Sequence, residues 1–278
     1  MVARLQDLAA RGPLLWLDYS EYAAALLAGG RAPWLDTAAC LAWLRQAQSL
    51  LRSDVVTLPM GVVGAAWLDA HPTLVDAMAG RKRRAAAPLR TMLADEALRI
   101  QGVDLALALR AAFAQAPLVL ACPSPRSWAA WAQGRCAPGE SPDIDDDAVD
   151  GAACFMADFL RVFSQCGIDA VLLEEATDTA PTTAAALQLY RPVLDLASQY
   201  RWDIGLHLPQ IGTAPLAQGL DFVVAPSEVD VPMRGFALDP ACWNGTPAPA
   251  CPPGGFRFAA VPAGAQPEAV LARLADWR

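Results

Sequence analysis

Short apolar runs separated by longer amphipathic stretches set the rhythm of this chain. Leu14-Leu15-Trp16-Leu17 is the first run, and Val55 to Leu58, Leu118 to Ala121 and Ala170 to Leu173 follow. Ile204 to Leu206, Phe222 to Ala225, Arg234 to Leu238 and Phe256 to Val261 bring the total to eight. Most lack polar alternation, and such runs predict strands covered on both faces, as in a parallel sheet. The segments between them carry apolar residues at helical spacing. Thr37 to Arg52 opens after Asp36, whose side chain suits an N-cap. Asp147 to Cys166 crowds acids into its first turn, where the helix dipole favours them, and Gly167 supplies a stop. Pro267 to Trp277 makes a closing helix.

Strand and helix alternating in this way predict parallel pairing through right-handed crossovers. No glycine-rich dinucleotide fingerprint follows the first run, so a closed barrel is expected rather than an open nucleotide-binding sheet. The prediction is a single (β/α)8 barrel domain over residues 1–278. The stretch Met60 to Pro117 has room for two or three helices, which makes the second βα connection an elaborated one. The Pro- and Gly-rich segment Thr246 to Gly255 reads as a surface loop.

Composition supports a packed core: 55% of the 278 residues are hydrophobic and 18% charged. The net charge of −8 repels nucleic acid and anionic membranes, so neither is an expected partner. The one basic run, Arg81-Lys82-Arg83-Arg84, reads as a solvated turn, with an anion-binding patch as the alternative. Seven scattered cysteines without a C-x-x-C pair argue against a disulfide framework. Cys40, Cys154 and Cys166 are expected as reduced core thiols. No apolar run is long enough for a membrane span, and the cytoplasm is the expected location.

Several segments, taken in order, resemble the uroporphyrinogen decarboxylase-like superfamily. Pro117 to Gly134 is similar to its strand-and-helix segment, and Asp147 to Glu175, through Gly167-Ile168-Asp169-Ala170, resembles its "aGaDavqlFDS" stretch. Ile204-Gly205-Leu206-His207 is similar to "ilHicG", Leu238-Asp239-Pro240 to the end of "GNLDP", and Gly264 to Trp277 to "tPpEnv". The resemblance implies a barrel, and either decarboxylation or one-carbon transfer.

The family's reactive residues are mostly replaced. Its arginine-rich N-terminal motif is absent, and Asp18 and Tyr19 stand near that place. The position of its catalytic aspartate falls at Leu58-Pro59-Met60, its tyrosine at Trp131 and its serine at Ala176. The histidine near its last strand falls around Pro262-Ala263. A substrate as rich in carboxylates as uroporphyrinogen needs arginines such as the absent N-terminal motif supplies. In the methyltransferase relatives zinc is held by His-x-Cys and a later Cys. Here His207 is followed by Leu208-Pro209, with Cys242 and Cys251 downstream.

Barrel active sites lie at the C-terminal strand ends. That rule selects Asp18 and Tyr19, Ser124 and Arg126, Glu174 and Glu175, His207 and Gln210, Ser227 and Glu228, and Asp239. Only one of Glu174 and Glu175 can face the mouth, and the family pattern favours Glu175. Glu175, His207 and Glu228 are the expected catalytic groups, with Glu175 and His207 as the expected metal ligands. Asp18, Tyr19, Arg126, Trp131 and Gln210 are expected around the substrate. Trp16, Trp128 and Trp131 are expected as walls for a flat ligand, although tryptophan is also common core filling. Asp239 is expected to cap a helix.

The first expected function is methyl transfer to or from a corrinoid or small molecule, with zinc or a corrinoid as cofactor. The expected partner is then a corrinoid protein or a second copy of the chain. The second is a decarboxylase or lyase on a small acid, with Arg126 as anchor and His207 as proton donor. The third is a retired barrel that binds a tetrapyrrole or a protein.

Overall fold

A computed structural model describes residues 5–10, 12–81, 84–139, 142–177, 181–210, 219–251 and 253–278. Its eight strands are β1 (Leu14–Asp18), β2 (Val56–Pro59), β3 (Leu118–Pro123), β4 (Ala170–Glu174), β5 (Asp203–His207), β6 (Phe222–Ala225), β7 (Met233–Ala237) and β8 (Phe256–Ala260). All pair in parallel in the order β1-β8-β7-β6-β5-β4-β3-β2. This is the expected (β/α)8 barrel, closed except along one seam. Each expected strand is present to within one residue at its ends, except β3, which runs two residues further, to Pro123.

The seam lies between β1 and β2, where side chains replace much of the ladder. Leu15 N–H donates to Asp54 Oδ2 at 2.7 Å and Leu17 N–H to Ser53 Oγ at 3.0 Å. Asp54 N–H donates to Leu15 O at 3.0 Å. Trp16 Nε1 reaches across to Thr57 Oγ1 at 2.9 Å.

Two apolar cores flank the strand wall. The larger fills the space between the wall and the helices. The smaller fills the lumen with alternate strand residues, among them Leu14, Trp16, Val119, Ala121, Ala170, Leu172, Phe222, Phe256 and Phe258. Four aromatic rings meet there: Trp16 lies 5.6–6.0 Å, centroid to centroid, from Phe222, Phe256 and Phe258. Gly205 and Gly235 give these rings room, because a Cβ at Gly235 would meet the Phe256 ring at 2.5 Å and one at Gly205 would overlap the Phe222 ring. The short helix Leu5–Ala9 plugs the N-terminal end of the lumen with Leu5 and Ala9.

The elaborated connection between β2 and β3 holds four helices rather than two or three: Met60–Ala70, Pro72–Ala79, Ala87–Leu93 and Glu96–Ala112. Local signals cut this run into short pieces. Pro72 sits at the first position of its helix, a new Asp95 N-cap bonds Leu98 N–H at 2.8 Å, and residues 80–81 and 84–86 are in turns or bends. The helix expected from Asp147 starts one residue earlier at Asp146. It tightens into a 3-10 turn over Arg161–Gln165 before Gly167, whose φ of +70° provides the expected stop. Asp169 then ties the entry of β4 to its surroundings, pairing with Arg110 and accepting from Leu118 N–H at 2.8 Å. Cys154 is exposed, so it is not the core thiol expected of it, whereas Cys40 and Cys166 are buried. None of the seven cysteines is in a disulfide. Among the described residues no helix is long and apolar enough to cross a membrane.

Candidate active site at the C-terminal mouth

Alternation along the strands decides which side chains reach the mouth. Ala170 and Leu172 belong to the lumen core, so Glu174, two residues on, faces the lumen too. The same count carries Trp16 to Asp18 on β1. On β5, Gly205 faces the Phe222 ring, which puts His207 on the lumen side; its ring lies 5.0 Å from that of Phe258. Glu174 and His207 are register partners on neighbouring strands. The mouth therefore holds two acids and a histidine above an aromatic floor of Trp16 and Phe258. Among the described residues none of the three side chains has a cationic partner. Among the described residues the Asp18 carboxylate accepts one hydrogen bond, from Ser20 N–H at 3.4 Å.

This placing controls their protonation. Burial pushes the Glu174 carboxyl up to about 8, and the nearby charge of Asp18 adds to the rise. Asp18 keeps access to water at the rim. Protein packed around its carboxyl still raises its pKa; Glu21 adds to this and the Ser20 bond opposes it. Burial lowers the His207 imidazole to about 4. At neutral pH the mouth thus presents a protonated Glu174 and an uncharged His207.

Glu175 does not face this space, contrary to the family pattern. It is one residue past Glu174, and its side chain leaves on the opposite side of the strand wall. There it is 7% exposed and accepts four hydroxyl hydrogen bonds. Tyr190 Oη donates at 2.6 Å, Ser124 Oγ at 2.7 Å, Thr182 Oγ1 at 2.8 Å and Ser127 Oγ at 3.2 Å. Ser124 also caps the helix Pro125–Cys136, so the carboxylate joins the ends of β3 and β4, that helix and the segment 182–190. The two groups expected to share a metal therefore diverge, although their backbones meet where Glu175 N–H donates to His207 O at 3.0 Å. Among the described residues no three His, Cys, Asp or Glu side chains converge as a metal site requires.

The remaining expected groups are dispersed. Tyr19 turns outward, buried, and donates to Gln48 Oε1 at 3.1 Å. Arg126 lies half-buried on the Glu175 side, where its charge is felt by Tyr190. Trp131 and Trp128 pack on the outer core, so they do not share a wall with Trp16 in the lumen. Glu228 is on the outer rim, its side chain 87% exposed and 3.1 Å from Arg234. It does not orient His207. Gln210 stays at the mouth side, its amide donating to Thr177 O at 2.8 Å and tying two rim loops together. Asp239 caps the turn Pro240–Asn244 as expected, accepting from Ala241 N–H at 2.7 Å.

Comparison with family models, with curated proteins and with solved structures finds no match for this chain.

Proposed function

We propose that this barrel is a lyase-type enzyme that moves protons on a small organic substrate held at its C-terminal mouth. The observation that carries this reading is the juxtaposition of Asp18, Glu174 and His207 at the mouth, with Glu174 protonated at neutral pH. Two carboxyls that face one space, with the charge of one raising the proton affinity of the other, can divide the work of general acid and general base. Glu174 is the donor in this scheme and Asp18 the acceptor. Neutral His207 is a hydrogen-bond partner for the substrate rather than the proton donor. Arg126, whose charge is felt by Tyr190 beside Glu175, has no role in this scheme. Methyl transfer through zinc finds less support, since His207 and Glu175 leave the wall on opposite faces.

The reading has a direct test in the titration of Glu174, followed by carbon-13 NMR of labelled glutamate. Assignment through Glu174→Gln identifies the resonance. An apparent pKa near 8 in the wild type and a lower one in Asp18→Asn are expected. A screen of small carbon acids in deuterated water should then show solvent exchange that Glu174→Gln abolishes. Titration of Glu174 near 4.5 would remove its role as donor and with it this reading.

The same group makes a stability prediction. Because the folded-state pKa of Glu174 is raised, its favourable contribution is complete below about 4.5 and is lost as pH rises through about 8. His207 has the opposite sign: its contribution is present above 6.5 and is lost as pH falls toward 4. The two oppose each other between about 4.5 and 6.5, so Glu174 acts alone from there to 8. Glu174→Gln should match the wild type at pH 4.5 and exceed it by about 2 kcal/mol at pH 9, a figure discounted for the water at the mouth. Urea denaturation at the two pH values measures the difference.

A further inference from the structure

We infer that the outer face made by the helices Thr37–Leu51 and Glu96–Ala112 is the interface of a twofold dimer of this chain. Exposed apolar side chains form its centre, and Arg45 of each copy meets the partner's Asp104.

A helix that covers a barrel is expected to turn polar residues toward water. The helix Glu96–Ala112 buries Leu98, Leu105 and Leu109 against the core. Its exposed side nevertheless carries Ala97, Ile100, Asp104, Leu107 and Ala111, a single stripe at helical spacing. Asp104 is the one charge on that stripe. Ile100 is 55% exposed and Leu107 47%, more than any other large apolar side chain among the described residues. Leu35 joins them at 40%, because Gln101 Nε2 donates to Trp34 O at 2.8 Å and holds that loop at the Ile100 end. Three of the six exposed large apolar side chains described are therefore on one face. Such a concentration marks a contact surface, whereas single exposed apolar residues do not.

The neighbouring helix supplies small residues and the opposite charge. Thr37–Leu51 exposes Ala38, Ala42 and Arg45 beside the half-buried Leu41. Its Trp43 Nε1 donates to Ala23 O at 3.1 Å, on the flank turned away from Glu96–Ala112. At 3.6 residues per turn, Ala38 and Arg45 then lean to the other flank, toward Glu96–Ala112. Asp104 leans toward them in turn, being three residues past Gln101, which reaches across to Trp34. Alanines along this boundary let another helix approach closely.

Two observations select a second copy as the occupant. The face offers one acid and one base, and among the described residues neither Asp104 nor Arg45 is in a salt bridge. Their spacing is the other. Both helices lead into neighbouring parallel strands, β2 and β3, so they run in the same direction. Gln101 approaches Thr37 Oγ1 at 3.5 Å, which levels the two helices. From there Arg45 is about 12 Å further along its helix, and Asp104 about 4.5 Å along the other. Within one copy the charges are thus offset by about 7 Å along the axis. A twofold axis across the helices, midway between them, brings each Arg45 level with the partner's Asp104, as an isologous contact requires. That axis lies at the level of Leu107, which puts the apolar stripe at the centre and the charges on its flanks. With a net charge of −8, two copies repel through most of their surface, and this face instead sets base against acid.

The test is the mass of the full-length protein in solution, by sedimentation velocity from about 1 to 100 µM. A dimer of 29.4 kDa chains is expected at the upper end. Ile100→Lys and Leu107→Lys should each weaken it at least about tenfold, whereas Leu271→Lys, at an exposed leucine of the closing helix, should leave it unchanged. Arg45→Asp and Asp104→Arg should each weaken it about tenfold, because symmetry repeats every like-charge contact. The double variant carrying both changes should recover the wild-type affinity. A protein that stays monomeric at about 100 µM overturns the inference and leaves the face to a different partner. A dimer that survives Leu107→Lys, or a double variant no tighter than the single ones, overturns it as well. All five positions are exposed, so the variants are expected to fold, and circular dichroism separates loss of association from loss of structure.

Discussion

Replacing Gly205 by alanine should cost the barrel about 3 kcal/mol or more, one of the two largest effects expected from any conservative change in this chain. The added methyl group would overlap the ring of Phe222. That ring is fully buried and has Trp16 and Phe256 each at 6.0 Å, so it has no space to retreat into. Relief must come from the strands, and moving β5 relative to β6 disturbs the whole ring of parallel pairs. Chemical denaturation followed by tryptophan fluorescence gives the loss directly. A double variant supplies the internal control. Phe222→Leu removes the obstructing ring edge, so Gly205→Ala combined with Phe222→Leu should be more stable than the sum of the single effects predicts. Strict additivity would mean that the glycine is not there for the ring.

The second large effect is expected at Glu175. Its carboxylate collects four buried hydroxyls, and truncation to alanine removes all four bonds at once, leaving Ser124 only the bonds to Ser127 at 3.0 Å and from Tyr190 at 3.3 Å. A loss on the order of 4 kcal/mol follows from the usual worth of hydrogen bonds to charged groups. Tyr190→Phe, which deletes the 2.6 Å bond to Glu175 and the longer one to Ser124, should lose about 2 kcal/mol. In neither variant should the titration of Glu174 shift by much, since the two side chains lie on opposite faces of the wall. A large shift in Tyr190→Phe would show that the network sets the mouth rather than the scaffold.

The contrast between these neighbours explains what could be read from the sequence. The eight strands were legible because each is an apolar run bounded by turn residues and followed by an amphipathic stretch. The stop at Gly167, the caps at Asp36 and Asp239 and the helix Pro267–Trp277 were legible for equally local reasons. Orientation was not. In a strand buried on both faces the alternation carries no polarity signal: Ala170 and Leu172 look into the lumen, while Val171 and Leu173 look at the helices. Nothing in the composition of β4 says which acid at its end goes inward. The decisive facts are long-range ones, namely the glycines opposite Phe222 and Phe256 and the register that sets His207 beside Glu174. Glu228 and Tyr19 failed for the same reason. Each is close in sequence to a strand end and turned away from the mouth in space.

The seam between β1 and β2 has a consequence for motion. Most of the barrel is held by a continuous ladder of backbone bonds, whereas the amides of Leu15 and Leu17 depend on the side chains of Asp54 and Ser53. A clasp of this kind opens without unzipping any strand pair, so hydrogen exchange at those amides should be faster than at the buried amides of β3 and β4. Asp18 rides on the strand that the clasp holds, and Glu174 on the continuous arc opposite. Loosening the clasp is therefore expected to change the spacing of the two acids, through a serine and an aspartate placed at the strand entry rather than at the mouth.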